Sequence, residues 1–363
     1  MRTLVVTNDF PPRPGGIQSY VHSLATRQPD GEVVVYASSW KGAGEFDAQQ
    51  PFPVVRADTS VLLPTPQRLR EARALAAAEG CDRVWFGAAA PLGLMARHLG
   101  LPSLASTHGH EIAWARLPAL RQALRRIEVD RFTALGDVTR SRLMGVLRGP
   151  IDLLPPGVDS SVFRPGSGGG EVRRRLGLSD RPLVVCVSRL VPRKGQDVLI
   201  QALPRVQRMV PDAALLLVGG GPHAPKLREL AAAAGVADDV VMTGSVPWEE
   251  LPAHHDAADV FAMPCRSRYG GLEVEGLGIV FLEASATGKP VVAGDSGGAP
   301  DAVRDRETGY VVDGTSVEQV ADRLTTLLLD PLRAKEMGAA GRAWIEAEWG
   351  WDRQAARLRD LLS

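Results

Sequence analysis

The residues Gly270–Ala284 read Gly-Gly-Leu-Glu-Val-Glu-Gly-Leu-Gly-Ile-Val-Phe-Leu-Glu-Ala, and the other motifs of the chain are interpreted from this stretch outward. It begins with glycines and acids and then turns abruptly apolar. The apolar run Ile279–Ala286 predicts a buried helix that Gly288 and Pro290 close. A glycine loop that leads into a helix is a ready anion-binding site, because free backbone N–H groups and the helix dipole point at it.

Two carboxylates, Glu275 and Glu283, bracket this expected anion site. A carboxylate would repel a bare phosphate, so we expect both to accept hydrogen bonds from hydroxyl groups instead. A phosphate with flanking hydroxyl groups is the outline of a sugar nucleotide. The alternative is a buried helix that carries two glutamates by chance.

The composition is that of an ordinary globular protein with room for about two domains. The 363 residues are 45% hydrophobic and have a formal net charge of zero, so no overall field recruits nucleic acid. Three cysteines without metal-ligand spacing favour a reducing cytoplasm. We expect neither a signal peptide nor a membrane span, because residues 2–7 read as a strand and no apolar run reaches about 18 residues.

Short apolar strands alternate with helices along both halves, which predicts α/β domains with parallel sheets. The first strand is followed by Gly15 and Gly16 and then by a helix start, as in a doubly wound domain. These glycines do not form the Gly-x-Gly-x-x-Gly pattern of a dinucleotide site. Gly166–Gly170 is the expected flexible linker. The predicted domains are residues 1–165 and residues 171–348.

Two histidines follow the strand that ends at Ser106, within the segment Thr107–Glu111. Open α/β sheets present ligands at the carboxyl ends of their strands. We therefore expect this segment to face a substrate, with His108 and His110 as its candidate side chains. The alternative is a helix start that these polar residues cap.

The segment Arg116–Arg131 combines apolar residues at helical spacing with arginines on its other faces. It predicts a basic amphipathic helix, which is one way for a soluble enzyme to contact anionic lipid. The alternative is a solvated face over a core stripe. The arginines concerned are Arg121, Arg125 and Arg126, with Arg68, Arg70 and Arg73 as a second candidate group.

The second half restarts with the strand Leu183–Ser188, which leads into Arg189 and, five residues later, Lys194. A guanidinium and an ammonium at the end of a strand can neutralise a pyrophosphate without a metal ion. Arg193 is left to face solvent. No Asp-x-Asp pattern stands where a metal site would be needed, so we expect no metal and no cofactor.

Together these motifs resemble those of the family-4 retaining glycosyltransferases, which have the GT-B fold. Glu275 and Glu283 match the Glu-x7-Glu motif of that family, and Arg189 and Lys194 match its Arg-x4-Lys pair. The landmarks follow in order over nearly the whole chain. The resemblance implies two Rossmann-like doubly wound domains facing across a cleft. It also implies that the last helix, in residues 349–363, crosses back onto the first domain.

The resemblance assigns the candidate residues to the transfer of a hexose with retention of configuration. Arg189 and Lys194 would bind the nucleotide diphosphate, and Glu283 would hold the ribose hydroxyls. Glu275 would hold hydroxyls of the donor sugar, and His108 would line the reacting face. Further donor-binding groups are Gly15, Gly16, Gly278, Ile279 and Val280, and the acceptor or membrane side comprises Gln18, His110, Arg121, Arg125 and Arg126.

The segments Arg266–Gly276 and Thr107–Glu111 look like those of the actinobacterial phosphatidylinositol mannoside mannosyltransferases. That family uses GDP-mannose and adds mannose to a lipid by an α-1,6 bond. The likeness implies a lipid-linked acceptor, peripheral contact with the inner face of the cell membrane and no nucleic acid. Alternatives are a UDP- or ADP-sugar with another acceptor, a nucleotide-sugar 2-epimerase of the same fold and a lectin-like binding protein. The donor base and the oligomeric state stay open.

Overall fold

The computed structural model describes all residues from 1 to 363, and the chain divides into two compact units. The first unit comprises residues 1–157 and 351–363, and the second unit comprises residues 158–350. Each unit has its own parallel β-sheet.

The sheet of the first unit has seven parallel strands in the order β3-β2-β1-β4-β5-β6-β7. The order reverses at β1, which is where open parallel sheets present their ligands. The strands are β1 (Thr3–Thr7), β2 (Val33–Ser38), β3 (Val54–Ala57), β4 (Arg83–Phe86), β5 (Ser103–Ser106), β6 (Arg131–Ala134) and β7 (Ile151–Leu153).

The sheet of the second unit has six parallel strands in the order β10-β9-β8-β11-β12-β13. Here β8 is the first strand of the unit and lies beside the reversal of strand order, as β1 does in the first sheet. The strands are β8 (Leu183–Val187), β9 (Ala214–Val218), β10 (Val240–Gly244), β11 (Val260–Met263), β12 (Val291–Gly294) and β13 (Gly309–Val312).

Helices connect the strands, and none combines the length and apolar composition that a membrane span needs. The helices are α1 (Gly16–Ala25), α2 (Ala43–Asp47), α3 (Pro66–Ala78), α4 (Ala96–Leu99), α5 (His110–Arg116), α6 (Pro118–Leu124), α7 (Asp137–Leu143), α8 (Gly169–Arg175), α9 (Gln196–Gln207), α10 (Ala224–Ala233), α11 (Leu251–Asp256), α12 (Ile279–Ala286), α13 (Val317–Leu329), α14 (Pro331–Glu348) and α15 (Trp351–Leu362). Short 3-10 helices cover Leu92–Met95, Pro192–Lys194, Ala237–Asp239, Trp248–Glu250, Tyr269–Gly271 and Ala299–Ala302.

The central strands are continuous apolar runs because helices cover both faces of each sheet. Every residue of β1, β2, β8 and β9 is buried.

The last helix, α15, belongs to the first unit and contacts α1. Its Leu358 is fully buried in one hydrophobic cluster with Leu24 of α1 and Trp85 of β4. Residues from both ends of the chain therefore build this core.

The glycine-rich segment Gly166–Gly170 does not form the free linker that its composition suggests. The N–H groups of Gly166 and Gly169 donate to the Asp256 carboxylate at 3.1 and 2.9 Å, and Gly169 begins α8. The preceding Phe163 is buried and meets the His255 ring edge-on. These contacts fix the segment within the second unit, so the change of unit comes earlier, between residues 157 and 158.

The segment Arg116–Arg131 is not the single amphipathic helix that its periodicity predicts. Helix α5 ends at Arg116, Leu117 is extended (φ −96°, ψ 118°), and α6 runs only from Pro118 to Leu124. The residue before a proline is pushed out of the helical region, which breaks the helix here. The prediction was wrong in length, because α6 begins at Pro118 and ends at Leu124, and residues 125–130 lie outside any helix although the apolar spacing continues to Ile127.

The core position of α15 predicts the effect of truncating Leu358. Leu358→Ala should lower the free energy of unfolding by about 2–5 kcal/mol, because it removes a fully buried side chain. Urea unfolding followed by circular dichroism measures this. The control is Arg357→Ala on the same helix, whose side chain is exposed and which should change stability by less than about 0.5 kcal/mol. Equal stability of the two variants would contradict the packing of α15.

Candidate active site

The loop after β8 carries two cations with different surroundings. Arg189 is exposed, and its side chain makes no ion pair or hydrogen bond within the chain. Lys194 ends the 3-10 helix Pro192–Lys194, and the residue is only 9% exposed. A buried ammonium needs a charged partner, since desolvation of an isolated charge is costly.

That partner is Glu275, which lies in the loop before α12. One carboxylate oxygen, Oε2, is 2.8 Å from Lys194 Nζ and 2.5 Å from Arg193 Nη1. Burial would raise the pKa of the Glu275 carboxyl, but Lys194 and Arg193 together outweigh burial and hold the pKa below its usual value. Glu275 is therefore an anion clamped between two cations, and its Oε1 accepts no hydrogen bond from the chain.

Arg193 is the residue of this cluster that sequence reasoning missed. Its side chain is 27% exposed, donates to Glu275, and has Nε 3.8 Å from Oε1 of Glu273. The 3-10 turn of Pro192–Lys194 directs consecutive basic side chains toward the same carboxylate. A basic residue directly before Lys194 was the available signal, but its direction depends on turn geometry that spacing alone does not give.

Glycines allow the backbones of this cluster to approach closely. At Gly195 (φ 78°) a Cβ would lie 2.0 Å from the carbonyl oxygen of Pro264, and at Gly297 (φ 57°) it would lie 1.8 Å from that of Glu275. Both glycines combine positive φ with a backbone neighbour, so no other residue fits without displacement. The N–H of Glu275 also donates to Ser296 Oγ at 3.1 Å. The Glu275 backbone is thus fixed from two sides.

The start of α12 presents unpaired backbone donors. Gly278, at φ 84°, precedes the helix, and no side chain caps it. The N–H groups of Gly278, Ile279 and Val280 donate to no group of the chain. Such groups at a helix N-terminus favour an anion, as the sequence predicts. Glu283, one turn further along α12, has a side chain that is 10% exposed.

The first unit places Gly15 and Gly16 at the start of α1, directly after the loop that follows β1. Gln18 folds back over this start, so that a Cβ on Gly15 would lie 2.1 Å from Gln18 Oε1. The Gln18 amide donates to Asp9 Oδ1 at 2.7 Å. A Cβ on Gly16 would meet nothing within 4 Å, so the backbone here is open.

His108 follows β5, and its ring is held in one orientation. Nε2 lies 2.6 Å from the carbonyl oxygen of Gly87, which can only accept, so Nε2 carries the proton. Tyr20 meets the ring edge-on at 5.2 Å. Burial lowers the pKa of His108, although Glu111 opposes this shift. The ring is therefore neutral near pH 7 and offers Nδ1 as an acceptor.

His110 and Glu111 support the backbone at His108. Oε2 of the fully buried Glu111 accepts from the N–H groups of His108 and Gly109 at 3.0 and 3.1 Å. His110 Nε2 lies 3.3 Å from Glu111 Oε1, and the two histidine rings stack at 6.4 Å. The polar cap that was the alternative interpretation of this segment is thus present, through Glu111, and it holds His108 in place.

The arginines that are candidates for an acceptor or membrane surface differ in their exposure and in whether their side chains have partners within the chain. Arg68 pairs with Glu71, and Arg73 donates to the carbonyl of His98. The arginines whose side chains are exposed and unpaired are Arg70, Arg121 and Arg126, while Arg125 is half-buried.

No three His, Cys, Asp or Glu side chains come together as a metal site would require. Metal independence stays a prediction.

Two family models match this chain, one on each half. The model described as "Glycosyltransferase Family 4" matches residues 14–162, and that described as "Glycosyl transferases group 1" matches residues 170–344. The chain is 53% identical over 377 residues to the GDP-mannose-dependent alpha-(1-6)-phosphatidylinositol monomannoside mannosyltransferase of Mycobacterium tuberculosis, covering 99% of this chain and 98% of the relative. The GDP-mannose-dependent monoacylated alpha-(1-6)-phosphatidylinositol monomannoside mannosyltransferase of Corynebacterium glutamicum is 46% identical over 374 residues, covering 99% of this chain and 97% of the relative.

Solved structures with low sequence identity share the fold. HepE of Anabaena in complex with UDP gives a TM-score of 0.84 at 18% identity and covers 100% of this chain and 99% of its own. WaaG, a glycosyltransferase involved in lipopolysaccharide biosynthesis, gives 0.71 at 21% identity and covers 99% of both chains. The prediction of two Rossmann-like domains with the GT-B fold is confirmed.

The ion pairs of Glu275 predict a dependence of stability on pH. The folded-state pKa of Glu275 lies below the usual 4.5, so the carboxylate adds stability above that pH and loses this contribution as pH falls through the folded pKa. Between about pH 5 and pH 3 the thermal midpoint of Glu275→Gln should therefore fall less steeply than that of the wild type.

The control for this titration is Glu336→Gln, which removes an exposed, unpaired carboxylate on α14. Its midpoint should follow the wild type over the same range of pH. Parallel curves for the wild type and Glu275→Gln would show that the ion pairs do not stabilise the ionised carboxylate.

Proposed function

Since this chain belongs to the group 1 and family 4 glycosyltransferases, we propose that it transfers mannose from GDP-mannose to a phosphatidylinositol mannoside and forms an α-1,6 bond. The observation that carries the proposal is identity of 46–53% over nearly the full length of relatives with that activity in their names. The cations, carboxylates and free backbone donors of the second unit supply matching chemistry.

The nucleotide diphosphate is the first ligand group to account for. Arg189 has no partner in the chain, so its guanidinium can bind a phosphate without breaking an ion pair. Lys194 is preorganised by Glu275 at 2.8 Å, and Arg193 neutralises that carboxylate when Lys194 turns toward phosphate. The free N–H groups of Gly278, Ile279 and Val280 add donors without charge.

The hydroxyl groups of the donor are assigned to the two carboxylates. Glu275 uses only Oε2 for its ion pairs, so Oε1 accepts from a hydroxyl of the mannose. Glu283 accepts from the ribose hydroxyls. His108, neutral and with Nδ1 as its acceptor, contacts the sugar on the reacting face. Each of these groups accepts hydrogen bonds, which suits a ligand rich in hydroxyls.

The reaction we propose is a same-face displacement without a covalent enzyme intermediate. The bond between the anomeric carbon and the β-phosphate oxygen breaks, and the acceptor hydroxyl oxygen forms the new bond on that face. Its proton passes to the departing phosphate oxygen. Arg189, Lys194 and the backbone donors stabilise the charge that develops on the diphosphate, which is electrostatic preorganisation. This assignment needs no metal ion.

The lipid acceptor is assigned to the first unit. Gln18 and His110 lie near the starts of α1 and α5, and these polar side chains suit an acceptor headgroup. The unpaired arginines Arg70, Arg121 and Arg126 suit peripheral contact with anionic lipid on the cytoplasmic face of the membrane. Arg125 is half-buried, so less of this residue is available to such a surface.

One assay separates this function from its alternatives. The protein is incubated with GDP-mannose, UDP-glucose or ADP-glucose, with and without a phosphatidylinositol monomannoside in vesicles, and released nucleotide and product anomer are measured. We expect GDP release only with GDP-mannose and the lipid together, an α-linked product, and no change on adding EDTA. Conversion of donor without any acceptor would indicate an epimerase. Binding without nucleotide release for every donor would indicate a lectin-like protein.

The cations that we assign to the diphosphate predict a selective loss of turnover. Arg189→Ala and Lys194→Ala should each lower kcat/KM by about 100- to 1,000-fold, because each removes charge stabilisation of the leaving group. The control is Arg208→Ala, an exposed arginine after α9, which should keep full activity. Circular dichroism checks that all variants fold. Activity near wild type in both alanine variants would contradict the assignment of the diphosphate site.

A further inference from the structure

His255 is a buried histidine that no sequence motif predicts, and it lies next to the carboxylate of Glu283. His255, on α11, has no exposed surface. Its ring stacks on Phe261 with centroids 5.2 Å apart, and Phe163 meets it edge-on at 5.7 Å. A phenylalanine would fill the same aromatic surroundings, so packing alone does not account for an imidazole here.

The nitrogen atoms of this ring lack ordinary hydrogen-bond partners. Nδ1 and Nε2 are both buried and neither makes a hydrogen bond within the chain. Buried polar atoms without partners destabilise a fold, so a ligand or a nearby polar group is expected to use them. Nε2 lies 3.4 Å from Oε2 of Glu283, and Glu283 pairs with no lysine or arginine.

A neutral imidazole carries one N–H, and only the tautomer with the proton on Nε2 directs it at the carboxylate. We infer that His255 is a positioning residue, which donates Nε2–H to Glu283 and so leaves the other carboxylate oxygen for hydroxyls of the nucleotide ribose. This inference rests on the proposed function, which assigns the ribose to Glu283. The separation of 3.4 Å is longer than the usual N–H···O distance of about 2.7–3.2 Å, so the hydrogen bond requires a small shift of either side chain.

The consequence is selectivity for ribose. A carboxylate that is fixed through one oxygen presents the second in a single direction, and hydrogen bonds in a chain polarise one another. Without His255, the Glu283 side chain is free to turn, and its bond to the ribose weakens. Binding of a nucleotide without ribose hydroxyls does not depend on this geometry.

The test compares the binding of GDP with that of 2′,3′-dideoxy-GDP by isothermal titration calorimetry. In the wild type we expect GDP to bind about tenfold tighter or more, as for a hydrogen bond to a charged group. His255→Phe keeps an aromatic ring but removes both nitrogens, and the ratio of the two Kd values should fall at least about threefold. His255→Gln restores an N–H and should recover most of the ratio.

The preceding residue, His254, provides a matched control. His254 is as buried as His255 and on the same helix, but its Nδ1 contacts the carbonyl oxygen of Glu250 at 2.8 Å. His254→Phe should leave the ratio unchanged. A purely structural effect on α11 would instead weaken both nucleotides equally in either variant and leave the ratio as in the wild type.

Glu283→Ala distinguishes the two ways in which the idea can fail. If this variant keeps the full preference for GDP, the ribose assignment of the proposed function is wrong. If it loses the preference while His255→Phe keeps it, the assignment of Glu283 holds and the inference about His255 is overturned.

A measurement on the wild type covers the case in which His255→Phe does not fold. With histidine labelled by 15N, the ring signal of His255 is identified by its loss in His255→Gln. The inference requires the tautomer protonated at Nε2 and a shift of that signal in Glu283→Ala. A ring protonated at Nδ1, or no shift in Glu283→Ala, would overturn it.

Discussion

The ion pairs of Glu275 with Lys194 and Arg193 connect two loops that are far apart in sequence, since Arg193 and Glu275 are 82 positions apart. A carboxylate that is 9% exposed keeps its charge only beside these cations, and removal of either would leave an incompletely compensated charge in the interior. The close backbone contacts at Gly195 and Gly297 hold the loops at the required distance. The ion pairs of Glu275 therefore depend on the close backbone contacts at the two glycines, and the ion pairs in turn connect the two loops.

The cluster also sets the charge of the proposed phosphate site. Arg189, Arg193 and Lys194 contribute three positive charges, and Glu275 removes one of them. Glu275 lies three residues before Gly278, and the free N–H groups at the start of α12 favour an anion as well. An enzyme that stabilises a departing diphosphate needs such a surplus to exist before the ligand arrives, since reorganisation during the reaction would cost free energy.

Much of the fold was predictable because fully buried strands are continuous apolar runs. The run predicted as a strand at Leu183–Ser188 is β8, Leu183–Val187, and Arg189 and Lys194 follow it as expected. Errors arose where one local constraint overrides composition. Helix α6 begins at Pro118 and ends at Leu124, although good helical spacing continues beyond it. Asp256 accepts hydrogen bonds from Gly166 and Gly169, in a segment that looks flexible in the sequence.

Only those residues of the candidate site that belong to a sequence motif were predictable. The structure brings Lys194 and Glu275 into contact, which strand ends and a glycine loop could suggest. Arg193 and His255 were missed, because their roles depend on where side chains point after a tight turn and on packing across the interior. Such long-range contacts leave no periodic signal in one sequence.

The return of α15 to the first unit has a consequence for biosynthesis. When residue 157 leaves the ribosome, the apolar surface around Leu24 and Trp85 still lacks Leu358. Residues 158–350 must be translated first, which takes on the order of 10–40 seconds at ~5–20 residues per second. The nascent first unit thus exposes an incomplete core while the second unit is able to fold, and chaperones have that interval in which to bind it.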